Sequence, residues 1–295
     1  MTPHTSHLTP QALSFSFELF PPRTPQGKEK LPAIIGKLAA VQPNYFSVTY
    51  GAGGSAQDGT YDTVVKVVEQ TGVAAAPHLS CVGSTRAHIA ELLDRYRAAG
   101  VKRIVALRGD LPATAMDAGA PGEFRYANEL VSFIREQHGE HFRIEVAAYP
   151  EMHPQAPDPR GDFDNFVRKV NAGAHAAITQ YFFAPDAYFD FMERCAKAGV
   201  EVPVIPGIMP ILNGAQLLRF SDACGAEVPR WIRLRLAEFG DDKASLQDFG
   251  LEVVARLAET LLAGGAPGLH FYTLNQAEPT LRLWRALRLP EPLSP

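Results

Sequence analysis

Eight short apolar runs punctuate the chain, and nearly every one closes on a polar side chain that a hydrophobic core would reject. They read FSFELF around Glu18, YFSVTYG with Thr49, AAAPHLS with His78, and RIVALRGD with Arg108 and Asp110. RIEVAAYPEMH follows with Tyr149 and His153, then AAITQYFF with Gln180, PVIPGIMP, and GLHFYTLN with Leu274 and Asn275. The first four recur at roughly thirty-residue intervals, the period of a strand plus a returning helix. In a (β/α)8 barrel all strand C-termini open onto one face. Polar residues at the run ends would then converge on one pocket, so the pattern predicts an α/β TIM barrel with its site at that face.

Between the runs, Leu31, Ile34, Ile35 and Leu38 fall at helical spacing over 28–40, after a first strand stopped by Pro21-Pro22. A second helix is expected over 58–71, with Val64, Val65, Val67 and Val68 buried and Gly72 ending it. Ser84 is the expected cap of a third helix that ends at Gly100. The Pro-, Ala- and Gly-rich stretch 111–124 is too long for a tight turn and reads as a loop covering a ligand. Over 162–173, Phe163, Phe166, Val167 and Val170 form an apolar stripe, with Asp162, Asn165 and Lys169 on another face. Spacing alone favours a solvated face for those three. The segment 217–262 supplies two or three helices before the last strand, and a Leu/Trp-rich helix over 279–289 closes the chain. Extra helices on one barrel, a single domain over 1–295 with residues 1–13 flexible, is the simplest organisation.

Composition narrows the class. A chain of 295 residues with 46% hydrophobic content can bury a large core. A formal net charge of −4 argues against a general nucleic-acid binder, though not against a local basic patch. Cys81, Cys195 and Cys224 lie far apart and form no CxxC pair, which suggests a reducing compartment. The N-terminus lacks a secretory pattern, and no apolar run reaches the roughly 20 residues that span a bilayer. The expectation is a cytoplasmic protein with no membrane partner, and a homo-oligomer is compatible with it.

Glu18 sits in an otherwise apolar strand. A carboxylate partly withdrawn from water holds its proton more readily, which makes Glu18 a candidate proton donor. An inward charge paired with a barrel arginine such as Arg108 is the alternative. Asp110 follows Arg108-Gly109, where glycine lets the backbone approach a ligand. His78 has no second histidine at metal-ligand spacing, and Pro150 between Tyr149 and His153 forbids a helical site, so no metal is expected. The glycines after the second run, Gly51, Gly53 and Gly54, lack the offset and acidic partner of a dinucleotide fingerprint. No phosphate loop or nucleophile elbow is present. The pocket suits proton transfer and ligand orientation, with the harder chemistry left to a cofactor.

Taken together, FELFPPR, VTYGAGGS, APHLSC, ALRGDLP, AAYPEMHP, AITQYFF, PGIMPI and HFYTLN resemble the methylenetetrahydrofolate reductases. The resemblance covers nearly the whole chain, in eight ordered motifs. It implies a barrel carrying non-covalent FAD, reduced by NADH or NADPH, which then reduces 5,10-methylenetetrahydrofolate to 5-methyltetrahydrofolate for methionine synthesis. Glu18 matches the family's general acid, and Asp110 the carboxylate beside flavin and pterin. Gln180 matches a contact to both nicotinamide and folate, Thr49 a nicotinamide contact, Gln216 a folate contact, and Phe220 an aromatic that packs on both the nicotinamide and the folate side chain. The FAD-lining positions are matched by Tyr50, Ala52, His78, Arg108, Gly109, Tyr126, Ala127, Tyr149, His153 and Ala156. Asp162, Asn165, Arg168 and Lys169 match them as well, against the solvated reading of that helix face.

One position departs from the pattern. Where bacterial members usually carry arginine after HFYTLN, this chain has Gln276, and a neutral amide loses charge assistance toward an anionic folate. The family's eukaryotic regulatory domain is not expected, nor is control by S-adenosylmethionine. Two other readings remain open at this level: another flavin barrel, such as a proline-dehydrogenase-like oxidase, and a folate or flavin binder without turnover. Glu18, Asp110 and Gln180 together weigh against the binder.

Overall fold

Alternation at period two sorts the strand side chains into two environments. In β1 (Ser14–Leu19), Phe15, Phe17 and Leu19 point outward into the helix layer, while Ser16 and Glu18 point into the barrel. The computed structural model describes residues 13–50, 54–109 and 122–291. β2 (Tyr45–Val48), β3 (Ala75–Ser80), β4 (Arg103–Leu107), β5 (Arg143–Ala148) and β6 (Ala176–Thr179) follow in order, each parallel to the last. The seventh run forms two pieces, β7 (Val204–Ile205) and β8 (Gly207–Ile208), interrupted at Pro206. Proline has no N–H to donate to a ladder, but its carbonyl still accepts from His270 N at 3.0 Å. β7 pairs with β6, and β8 with β9 (Gly268–Tyr272), which returns to β1. The order β7-β6-β5-β4-β3-β2-β1-β9-β8 therefore comes full circle through Pro206. This is the expected TIM barrel.

The helices form the outer layer. They are α1 (Pro25–Ala39), α2 (Gly54–Thr71), α3 (Arg86–Ala98), α4 (Ala127–His138), α5 (Pro159–Asn171) and α6 (Pro185–Lys197). Then α7 (Gly214–Cys224), α8 (Arg230–Glu238) and α9 (Lys243–Ala263) fill the crossover before β9, and α10 (Ala277–Ala286) follows it. Trp284 of α10 is fully buried with its ring 5.2 Å from Phe15 and 5.6 Å from Phe17, tying the last helix to the first strand.

Several local expectations shift. Thr85 rather than Ser84 caps α3, its hydroxyl accepting from His88 N at 3.2 Å. Of the four valines in α2, Val64 and Val67 are buried, Val65 is half-buried and Val68 exposed, because two adjacent valine pairs span more arc than the strand face covers. α5 begins at Pro159 with Asp158 as its cap, since proline suits the first helical turn. The loop expected over 111–124 lies mostly outside the described residues.

Candidate active site

Inward positions at the strand ends enclose a cavity of about 460 Å³. It gathers Glu18, Thr49, His78, Tyr149, Gln180 and Phe220 from β1, from the segments after β2, β5 and β6, from β3, and from α7. The sequence reading missed His270, Tyr272, Tyr181 and Cys224, which also line it. His270 and Tyr272 alternate with Leu274, so the period that picks out Glu18 would have found them. Tyr272 is fixed by donating to the Thr179 carbonyl at 2.7 Å. Its ring occupies the space a Cβ would need at Gly207, so glycine is required where the broken strand passes.

The Glu18 carboxylate lies 3.5 Å from His78 Nε2 and 3.9 Å from His270 Nε2. Burial pulls the His78 pKa down to about 4, outweighing the opposite pull of Glu18. At neutral pH the ring is therefore uncharged, and the contact is not an ion pair. Consistently, His78 Nε2 is buried without a hydrogen-bond partner among the described residues. Arg108, the partner considered for Glu18, turns away to Gln155 Oε1 and the Gly109 carbonyl. Gln180 folds its amide oxygen onto Tyr181 N at 3.0 Å, leaving its NH₂ to the cavity.

A second group gathers where β4 and β5 open toward α5. The Asp162 carboxylate accepts from His153 N at 2.9 Å, and His153 Nδ1 accepts from Gln155 N at 3.0 Å. Ala156 N closes the turn on the His153 carbonyl, and the His153 ring packs edge-on to Tyr149, centroids 4.6 Å apart. Lys169 reaches inward and donates to the Ala147 carbonyl. Burial pulls its pKa down to about 8, with Asp162 opposing and Arg108 adding to the fall. Lys169 and Arg108 thus repel each other across a partly dry space. The solvated-face reading fails for Asp162 and Lys169, and Asn165 is half-buried; Arg168 is exposed and donates to Asn165 Oδ1 at 2.6 Å. Gly109 has φ +89, and a Cβ there would collide with Ser80 and stand 2.8 Å from Val82 Cγ1.

The remaining expected residues are distributed around this mouth. Tyr126 and Ala127 start α4, the first exposed and the second buried. The Tyr50 hydroxyl is buried without a partner among the described residues, and burial raises its pKa to about 12. Gln216 lies one helical turn before Phe220 on α7. Gln276 is not brought to the cavity: it is the exposed N-cap of α10 and lines a neighbouring cleft beside Pro210 and Arg282. Ala52 and Asp110 lie outside the described residues. Among the described residues no cluster of three His, Cys, Asp or Glu could hold a metal, and no helix is long and apolar enough to cross a membrane.

Comparison with known proteins places this geometry in a family. The family profile described as methylenetetrahydrofolate reductase matches residues 4–288. The 5,10-methylenetetrahydrofolate reductase of Salmonella typhimurium (strain LT2) is 40% identical over 266 residues, 90% of this chain and 88% of that protein. The Escherichia coli K12 enzyme of the same name is 39% identical with the same coverage. Methylenetetrahydrofolate reductase (NADH) 1 of Zea mays is 33% identical over 94% of this chain but only 49% of its own length. Among solved structures, an uncharacterized Clostridium thermocellum protein that binds two copies of 5-methyl-5,6,7,8-tetrahydrofolic acid shares the fold. Its TM-score is 0.67 at 14% identity, over 95% of this chain and 96% of that one. With both the profile and the enterobacterial enzymes matching over most of its length, this chain belongs to the methylenetetrahydrofolate reductase family of oxidoreductases.

Proposed function

We propose that the chain binds FAD without a covalent bond and reduces 5,10-methylenetetrahydrofolate to 5-methyltetrahydrofolate at the expense of NADH or NADPH. The two substrates take turns in one cavity. The observation that carries this reading is the juxtaposition at one mouth of a carboxyl beside a neutral imidazole and a pair of half-dry cations.

The residues suit such a flavin. Arg108 and Lys169 repel each other where they stand, so an anionic diphosphate laid against them would relieve that repulsion and gain charge-assisted hydrogen bonds. The bare backbone at Gly109 permits close approach, and the Tyr50 hydroxyl has no partner among the described residues and could donate to a bound group. The flavin supplies hydride transfer when bound. Glu18 donates a proton to the folate nitrogen released as the five-membered ring opens, and neutral His78 beside it adds no competing positive charge. Gln180, with its free NH₂ in the cavity, orients both guests. Thr49 and Phe220 line the space in which nicotinamide and folate alternate. Tyr126, Ala127, Tyr149, His153, Ala156, Asp162, Asn165 and Arg168 are assigned to the flavin, as are Ala52 and Asp110. Gln216 is assigned to the folate, and Gln276 to its distal glutamyl tail. The product supplies methyl groups for methionine synthesis in the cytoplasm.

The test is steady-state turnover with each nicotinamide and methylenetetrahydrofolate, together with chromatography of the flavin released by acid. Parallel reciprocal plots and released FAD support the reading; a flavin-free protein that cannot be reconstituted, or turnover of proline instead, would refute it.

A further inference from the structure

α7 is a wall of the cavity with little apolar anchorage. Leu217 and Ser221 are its buried residues, Leu218 and Cys224 are partly buried, and Phe220, Ala223 and Cys224 line the cavity. With a serine taking half of the buried face, the tie to the barrel is polar. The Ser221 and Tyr181 hydroxyls hydrogen-bond at 3.1 Å, and the Cys224 thiol donates to the same tyrosine oxygen at 3.3 Å. Burial raises the Tyr181 pKa, so the phenol keeps its proton. Tyr181 is itself fixed, buried just past the end of β6 with its ring edge-on to Phe183 and Tyr272. One residue before it, Gln180 closes its amide oxygen on Tyr181 N at 3.0 Å. Phe220 immediately precedes Ser221. The hydroxyl pair therefore stands one residue from each of two side chains assigned to the guests. The ends of α7 are held separately. Asn213 accepts from Gln216 N at 2.8 Å in the first turn, and Glu151 accepts from Glu227 N at 2.9 Å beyond the last.

We propose that Tyr181 is a positioning residue: through Ser221 and Cys224 its hydroxyl holds α7 at a set distance from the end of β6, and so fixes the spacing of Gln180 and Phe220 that admits nicotinamide and folate in turn. The inference rests on the reading of Gln180 and Phe220 as guest contacts. Two guests of different size share the space, so neither can shape it, and the protein must hold its walls. Hydrogen bonds have a narrow range of length and angle, whereas apolar contact is non-directional, so the hydroxyl pair sets one spacing. Without it, α7 would sample positions in which Phe220 is displaced, and each guest would have to select the competent fraction on binding. That cost is common to the bound guest and the transition state, so it falls on half-saturation and not on the limiting rate.

Tyr181→Phe keeps the ring and removes the hydroxyl, and Ser221→Ala breaks the same bond from the helix side. Stopped-flow traces of the two half-reactions give half-saturation and limiting rate for nicotinamide and folate separately. The expected result is half-saturation raised about tenfold for both guests in either variant, as when the competent fraction falls to about one tenth. Limiting rates should stay within about twofold. The double variant should be no worse than the single ones, since both remove one bond. Alkylation by N-ethylmaleimide supplies a readout independent of turnover. Cys81 and Cys195 are buried and Cys224 is half-buried. Mass spectrometry of the resting protein should therefore show faster labelling of Cys224 in Ser221→Ala, where the thiol keeps its acceptor and the helix alone is freed. Half-saturation unmoved in both variants, or labelling unmoved in Ser221→Ala, would overturn the proposal. If Gln180→Ala and Phe220→Ala leave both half-saturation values as in the natural protein, the reading of those two as guest contacts fails instead.

Discussion

Glu18 Oε2 stands 3.5 Å from His78 Nε2, and the imidazole is neutral. The contact therefore sets a carboxyl group against an uncharged ring and is not a salt bridge. An arginine in place of His78 would commit Glu18 to its ionised form.

The buried His78 should leave its mark on stability. The unfolded chain takes up a proton at the ordinary histidine value of 6.5, but the fold resists protonation until about 4. Stability is then fully present above pH 6.5 and falls as pH drops through that window, by about 3 kcal/mol in total. Denaturant unfolding between pH 4 and pH 8 measures it. His78→Asn should flatten the slope, and an equal slope in the variant would assign the acid loss to other groups.

Lys169 and Arg168 should separate, although the sequence pairs them. Lys169 is directed inward beside Arg108, whereas Arg168 is exposed. Lys169→Met should weaken FAD retention by about 1.5–3 kcal/mol, the contribution of a hydrogen bond to a charged group. Arg168→Met should cost less than half as much. Flavin fluorescence on dilution reports both, and equal retention in all three proteins would move the diphosphate elsewhere.

Gly109→Ala forces a Cβ into Ser80 and Val82 at φ +89. Strain of this kind costs on the order of 1–3 kcal/mol before the clash is counted, so a lower thermal midpoint is expected, with impaired flavin loading. A midpoint equal to that of the natural protein would mean the loop rearranges freely.

Gln276 lies in the cleft beside Arg282, outside the central cavity. Restoring a cation by Gln276→Arg should lower the KM for polyglutamylated folate more than for the monoglutamate, and the gain should shrink with salt. Equal KM values for both substrates in both proteins would detach this position from the folate.

What was legible in the sequence followed from where each strand ends. Polar residues closing apolar runs marked Glu18, Thr49, His78 and Gln180, and the barrel brings these four to one cavity. The same rule overlooked Tyr45, Glu145 and His270, because they lie at the start or in the middle of strands, where a polar side chain gives no local sign of its partner. Their pairing is set by register across the barrel, as in the hydrogen bond between Tyr45 and Glu145, one hundred positions apart. Gln276 stands outside the central cavity for a related reason. Adjacency to HFYTLN in sequence suggested the pocket, but the turn through Leu274 and Asn275, both at φ 52, carries the chain over the rim first.

The central claim is that Glu18 supplies the proton at a cavity shared by both substrates. Stopped-flow measurement of the two half-reactions separately, in the natural protein and in Glu18→Gln, tests it most directly. The account predicts flavin reduction by NADH or NADPH at an essentially natural rate in the variant, with folate reduction slowed by about 10²–10⁴-fold, the usual contribution of a general acid. Equal slowing of both half-reactions, or full folate reduction without the carboxyl, would contradict it.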